Sequence, residues 1–232
     1  MPVPSRIPTP AYRLAIFDLD GTLADSIGWF LGAINLMAEH HRFRRVEAHE
    51  VDMLRGQGAR QILAHVGLPL WKLPTVTADM RRLMSRDIAT IRLFPGVDEA
   101  LAQLDAAGVT LALATSNSRA NAERILGPQN SARFRHFACG SALFGKRSKY
   151  EKLLHQAGVR AAEAVSIGDE IRDADAARAC GLDFAAVAWG YTLPDALLAT
   201  APRALLHDFD ELVAFLLGTA PAGYGPATAL MP

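Results

Sequence analysis

Short apolar runs punctuate the chain: "RLAIF" (13–17), "VTLALA" (109–114), "AVSI" (164–167) and "FAAVA" (184–188). Each predicts a buried strand. "FAC" (137–139) and "RALL" (203–206) are weaker members of the same series. Helical patterns fill the gaps. "GVDEALAQLDAAG" (96–108) puts Leu101 and Leu104 on one face and stops at Gly108, while "KYEKLLHQAG" (149–158) and "DADAARACG" (173–181) also end at glycines. Strands alternating with helices predict right-handed crossovers and an α/β fold built on a mainly parallel sheet.

One stretch breaks the alternation. From about Asp25 to Arg92 the pattern is helical throughout, in "SIGWFLGAINLMAEH", "HEVDMLRGQGARQILAHVG" and "VTADMRRLMSRDIATI", with no convincing strand. It predicts an all-α cap (25–92) inserted into a core made of 1–24 and 93–217. Trp29, Trp71 and Met53 are expected in the cap's interior. The Gly/Ala/Pro-rich end, 218–232, reads as a flexible tail.

Composition narrows the function classes. Half of the 232 residues are hydrophobic, enough for a sizeable core. Basic and acidic residues balance at 24 each, so no global field draws in nucleic acid or an anionic membrane. The densest basic stretch, "HHRFRR" (40–45), reads as a solvated face. Cys139 and Cys180 are far apart and show no metal-site spacing. No run reads as a signal peptide or a membrane span. The expectation is a soluble cytoplasmic protein, monomer or homodimer, acting on a small molecule.

The chemistry gathers where strands end. In an open parallel sheet, ligands bind beyond the carboxyl ends of the strands. Asp18, Leu19, Asp20, Gly21 and Thr22 follow the first strand; Thr115, Ser116 and Asn117 follow the second; Gly168, Asp169, Glu170 and then Asp173 follow "AVSI". Lys146 and Lys149 stand in "LFGKRSK" between. Two acids ending an apolar strand are costly unless something positive lies between them. A divalent cation with oxygen ligands answers that, and magnesium suits one or two carboxylates, waters and a substrate phosphate.

"FDLDGTLADS", "ATSN", the lysine after "LFG" and "GDEIRD" together resemble the four motifs of the haloacid dehalogenase superfamily, over residues about 13 to 206. The likeness is greatest to its phosphoglycolate-phosphatase-like branch with an α-helical cap. It implies a Rossmann-like core and a Mg2+-dependent phosphatase acting on a small phosphoester. Asp18 is then the nucleophile and Asp20 the general acid and base. Thr115 binds the phosphoryl group with Ser116 and Asn117. Asp18, the backbone carbonyl of Asp20, Asp169 and Glu170 are the metal ligands, and Asp173 steadies the lysine or metal-bound water. Gly145 before Lys146 favours that lysine over Lys149, but the stretch lacks the Lys-Pro of many members, so both stay open. Arg55, in the glycine-flanked "LRGQGAR" (54–60), is expected to bind a substrate carboxylate or second anion.

Three other readings share some of these residues. A phosphomutase of the β-phosphoglucomutase type keeps all four motifs. A haloacid dehalogenase needs neither leaving-group protonation nor magnesium, which Asp20 and the Asp169/Glu170 pair argue against. A non-catalytic module that binds a phosphorylated ligand is expected to lack Asp18 or Asp20, and both are present.

Overall fold

The computed structural model describes residues 10–140 and 145–219. Its strands are β1 (Leu14–Phe17), β2 (Ala24–Asp25), β3 (Arg92–Leu93), β4 (Thr110–Ala114), β5 (Phe134–Ala138), β6 (Ala164–Gly168), β7 (Asp183–Val187) and β8 (Ala204–Leu206). Its α-helices are α1 (Ile27–His41), α2 (Val51–Arg55), α3 (Ala59–His65), α4 (Leu73–Asp87), α5 (Val97–Ala106), α6 (Arg119–Arg133), α7 (Lys146–Ala157), α8 (Ile171–Cys180), α9 (Pro194–Leu198) and α10 (Phe209–Leu217).

Six strands form one parallel sheet in the order β5-β4-β1-β6-β7-β8. This is the expected α/β core. The chain works outward from β1 through β4 to β5, then returns to the other side of β1 through β6, β7 and β8. The reversal at β1 opens a crevice between the loops that follow β4 and β6, at the place where such sheets bind ligands.

Side chains along β1 alternate between the two faces of the sheet. Ala15 and Phe17 join Leu113, Ile167 and Val187 under α5, α6 and α10. Leu14 and Ile16 join Ala112, Phe184 and Ala186 under α7, α8 and α9. Burial on both faces explains why β1 reads as an unbroken apolar run rather than an alternating one.

Residues 27–90 carry helices and helical turns only. Met37, Val66, Leu68 and Val76 make a small cluster of their own there. Three details differ from the sequence reading. The Gly56–Gly58 turn splits the middle helix into α2 and α3. The two ends of the segment, β2 and β3, pair antiparallel, with Ala24 opposite Leu93 and Asp25 opposite Arg92. Trp71 and Met53 are not interior: they are 76% and 44% exposed. Trp29 is half-buried and donates its indole N–H to Asp87 at 3.1 Å.

The fifth strand starts at Phe134, three residues before "FAC", because Phe134 and Ala138 supply the inward contacts. Helix α7 begins at Lys146, earlier than the pattern from Lys149 suggested, with the Ser148 hydroxyl bonded to the Gly145 carbonyl. Leu143 and Phe144 of "LFG", the first residues of the chain and the tail from 220 onward lie outside the described residues. No described helix is long and apolar enough to cross a membrane.

Candidate active site

The sheet delivers the acids. The Asp18 backbone N–H continues the β1 ladder onto Ile167, so its carboxylate emerges just past the strand end, 2% exposed. The chain then turns sharply at Gly21, whose φ is +81°; a Cβ there would lie 2.2 Å from Asp169 Oδ2. Only glycine permits both the turn and the approach of that carboxylate.

Lys146 lies between two acids, with Nζ 2.8 Å from Asp18 Oδ2 and also paired with Asp173 Oδ1. Its position follows from helix periodicity. Lys146, Tyr150 and Leu153 share the buried face of α7 at i, i+4 and i+7, the last two fully buried. Lys149 falls off that face and donates to the Thr115 carbonyl at 2.5 Å. Burial opposes the charge on Lys146, but Asp173 and Asp18 outweigh it and raise its pKa.

Asp20 sits half-buried across from Asp18. Its carboxylate accepts from the Ser26 hydroxyl at 3.2 Å and the Asn117 amide at 3.4 Å. Burial and the neighbouring Asp18 push its pKa up to about 6 against those two hydrogen bonds. Thr115 is buried, and its hydroxyl oxygen accepts the Asn117 N–H at 2.9 Å, which leaves the hydroxyl hydrogen to donate elsewhere. The Asn117 amide contacts Asp20 and Met84 Sδ, and its oxygen accepts from Asn121, so it helps to position the second aspartate. Ser116 is half-buried in the same turn.

Among the described residues, ligand oxygens of Asp18, Glu170 and Asp173 lie within 4.8 Å of one another. The expected ligands were Asp18, Asp20, Asp169 and Glu170, with Asp173 behind them. Asp173 joins the cluster instead of standing behind it. Asp169 Oδ1 accepts from the Thr22 hydroxyl and Oδ2 from the Tyr191 N–H, both at 2.7 Å, and Asp173 Oδ2 likewise accepts from the Glu170 N–H at 3.2 Å. Each Asp169 oxygen keeps one lone pair. Burial and the charges of Glu170, Asp18 and Asp173 raise the Asp169 pKa well above the carboxylate range. Against Asp18, Asp20, Asp169, Glu170 and Asp173 stand Lys146, Arg172, which is paired with Glu170, and Lys149, which also feels the charge of Asp18. Hard oxygen donors crowded together in excess of cationic partners fit a magnesium ion.

Sequence reasoning gave no role to Ser26 or Arg172, and placed Thr22 at the first strand end without assigning it a partner. Arg172 stood inside the quoted "GDEIRD". The Tyr191 hydroxyl meets Ser26 at 2.8 Å, a contact that spans 165 residues and carries no local signal. Trp189 braces the same turn by donating to the Thr22 carbonyl at 3.0 Å.

Arg55 makes contacts that its sequence position did not announce. Its Nε donates to the Tyr191 carbonyl at 2.9 Å and Nη2 to the Gly190 carbonyl at 3.2 Å, with Asp52 3.6 Å away. The Leu193 N–H returns a bond to the Arg55 carbonyl at 3.0 Å. The guanidinium thus ties α2 to the loop after β7 through two of its five N–H groups.

The family model for haloacid dehalogenase-like hydrolases matches residues 15–187, from β1 to the end of β7. The chain belongs to this family. Over 199 residues it is 32% identical to a phosphoglycolate phosphatase of Synechococcus elongatus, covering 85% of this chain and 94% of the relative. It is also 31% identical over 211 residues to the tyrosine-protein kinase PtkA of Mycobacterium tuberculosis, covering 88% of this chain and 72% of the relative. Among solved structures, a predicted phosphatase from Clostridium acetobutylicum superposes with a TM-score of 0.77 at 18% identity, over 89% of this chain and 99% of that one. Within the family the chain falls in the branch similar to phosphoglycolate phosphatases.

Proposed function

We propose that this protein is a magnesium-dependent phosphatase that hydrolyses a small phosphomonoester through an aspartyl-phosphate on Asp18. The observation that carries this reading is the convergence of Asp18, Lys146 and Asp20 at the carboxyl end of the central strand. Asp18 attacks phosphorus; its Oδ–P bond forms as the ester P–O bond breaks. Asp20, held by Ser26 and Asn117, gives its proton to the leaving oxygen, then takes one from the water that attacks the aspartyl-phosphate. That second step releases phosphate and restores both aspartates.

Lys146 fixes the Asp18 carboxylate and supplies positive charge where the phosphoryl oxygens come to lie. The Thr115 hydroxyl donates to one of those oxygens. A magnesium ion would be held by Asp18, Glu170 and Asp173, with Asp169 beside them, and would neutralise charge on the phosphoryl group. The Synechococcus relative makes phosphoglycolate the first ester to assay.

The test is release of inorganic phosphate from phosphoglycolate and from phenyl phosphate, with magnesium and with excess chelator. Release is expected only with magnesium, and Asp18→Asn should lower it by at least about a thousandfold. Unchanged release in chelator, or near-normal turnover by Asp18→Asn, would overturn the reading. Transfer of phosphate to a second hydroxyl of the substrate, without net release, would instead indicate a mutase.

A further inference from the structure

A cavity of about 190 Å³ lies between α1, α2 and α3 on one side and the loop after β7 and the start of α8 on the other. Phe30, Leu31, Ile34, Leu54, Ile62 and Leu63 make its walls. Glu170, Arg172 and Tyr191 border it on the core side. The same Glu170 places its carboxylate with those of Asp18 and Asp173, and the Tyr191 N–H holds Asp169. The hollow therefore adjoins the acidic cluster through Glu170.

Three of the polar side chains on its walls are engaged. Arg55 is tied to the carbonyls of Gly190 and Tyr191, Arg172 to Glu170, and the Gln57 amide lies against Met53 Sδ at 2.9 Å. A carboxylate such as that of glycolate would enter a mostly apolar hollow whose two cations, Arg55 and Arg172, already hold backbone carbonyls and Glu170, which disfavours it. An uncharged group would be welcome there, since a Leu/Ile/Phe-lined cavity of about 150 Å³ is enough to take up benzene.

We infer that the organic part of this enzyme's substrate is uncharged and apolar, about one aromatic ring in size, and sits among Phe30, Ile34, Leu54 and Ile62. The inference rests on the phosphatase reading for the position of the phosphoryl group and names the ester class that the reading leaves open.

Equilibrium binding separates the two. Benzylphosphonate and phosphonoacetate, non-hydrolysable analogues of an aryl-bearing ester and of phosphoglycolate, are titrated by calorimetry into the full chain with magnesium. Benzylphosphonate should bind at least tenfold tighter. Ile62→Glu, which puts a charge on the wall at a half-buried position, and Ala59→Trp, which fills the hollow, should each weaken benzylphosphonate at least tenfold. Both should leave inorganic phosphate binding and the melting temperature near wild type. Tighter phosphonoacetate binding, equal affinities, no detectable benzylphosphonate binding, or indifference of benzylphosphonate to Ala59→Trp would overturn the inference. If benzylphosphonate keeps its tenfold advantage while no ester is turned over, the cavity assignment stands and the phosphatase reading falls. If esters are hydrolysed with phosphoglycolate preferred, the phosphatase reading stands and the cavity assignment falls.

Discussion

Replacing Lys146 by methionine keeps the volume of the stem and removes the charge between Asp18 and Asp173. At 2.8 Å and an effective dielectric near 20, the Asp18 contact alone carries roughly 6 kcal/mol of Coulomb attraction. Desolvation of a buried lysine offsets much of that. Breaking such a pair and leaving the acids behind costs about 3–5 kcal/mol of stability. On the kinetic side, one lost electrostatic contact to the reacting group costs about 3–4 kcal/mol, or roughly 10²–10³ in kcat. Lys149 provides the control. It bonds a backbone carbonyl rather than an acid, so Lys149→Met should cost about 1 kcal/mol and less than about tenfold in rate. The assay is steady-state hydrolysis of an aryl phosphate at saturating magnesium, with urea unfolding of each variant. If Lys149→Met is the crippled protein, or if the two variants lose activity equally, the assignment of Lys146 from the buried face of α7 is wrong.

Arg55→Ala should raise KM for every ester by a similar factor, about three- to tenfold, because two hydrogen bonds that hold α2 to the loop are lost. Arg55→Lys should not restore it, since an ammonium lacks the fork; a selective loss on carboxylate-bearing esters would show that Arg55 touches substrate after all. Gly190→Ala brings a Cβ to 2.1 Å from the Asp169 Cβ, so the carboxylate must shift; magnesium affinity should fall at least about tenfold, and an unchanged magnesium titration would refute the role given to Asp169. In the helical segment, the Glu47 N–H and then the Arg44 guanidinium hold the Glu50 carboxyl down at about 2. A lowered carboxyl stabilises above its ordinary value of 4.5 and loses that contribution as pH falls towards 2. The melting-temperature gap between wild type and Glu50→Gln should therefore be full at pH 7 and narrow between pH 5 and pH 3; a gap independent of pH would refute the pairing.

The core was largely legible before any tertiary information. The residues of β1, β4, β6 and β7 are apolar on both faces because helices cover both sides of the sheet, and a run of that kind announces itself. Asp18, Asp20, Thr115 and Asp169 were legible as candidates for the same reason: they stand within three residues of the ends of those runs, and a strand end is a local feature. The Lys146 position had a local signal too, in its spacing to Tyr150 and Leu153, once α7 is started at the right residue.

Orientation within the site was not legible, because distant parts of the chain decide it. Thr22 reaches Asp169 across 147 residues, and the Tyr191 N–H takes that carboxylate's other oxygen. The carboxylate oxygens that gather within 4.8 Å of one another are those of Asp18, Glu170 and Asp173. Arg55 looked like a free cation in a glycine-flanked turn, and two carbonyls 135 and 136 residues away occupy it. Amphipathic spacing said that α1 and α3 each bury a face, but not against what. Trp71 and Met53 ended in solvent, and Phe30, Ile34 and Ile62 border a cavity beside the acids. Periodicity along one element reports which side is apolar, whereas the partner that covers it depends on how separate elements are brought together.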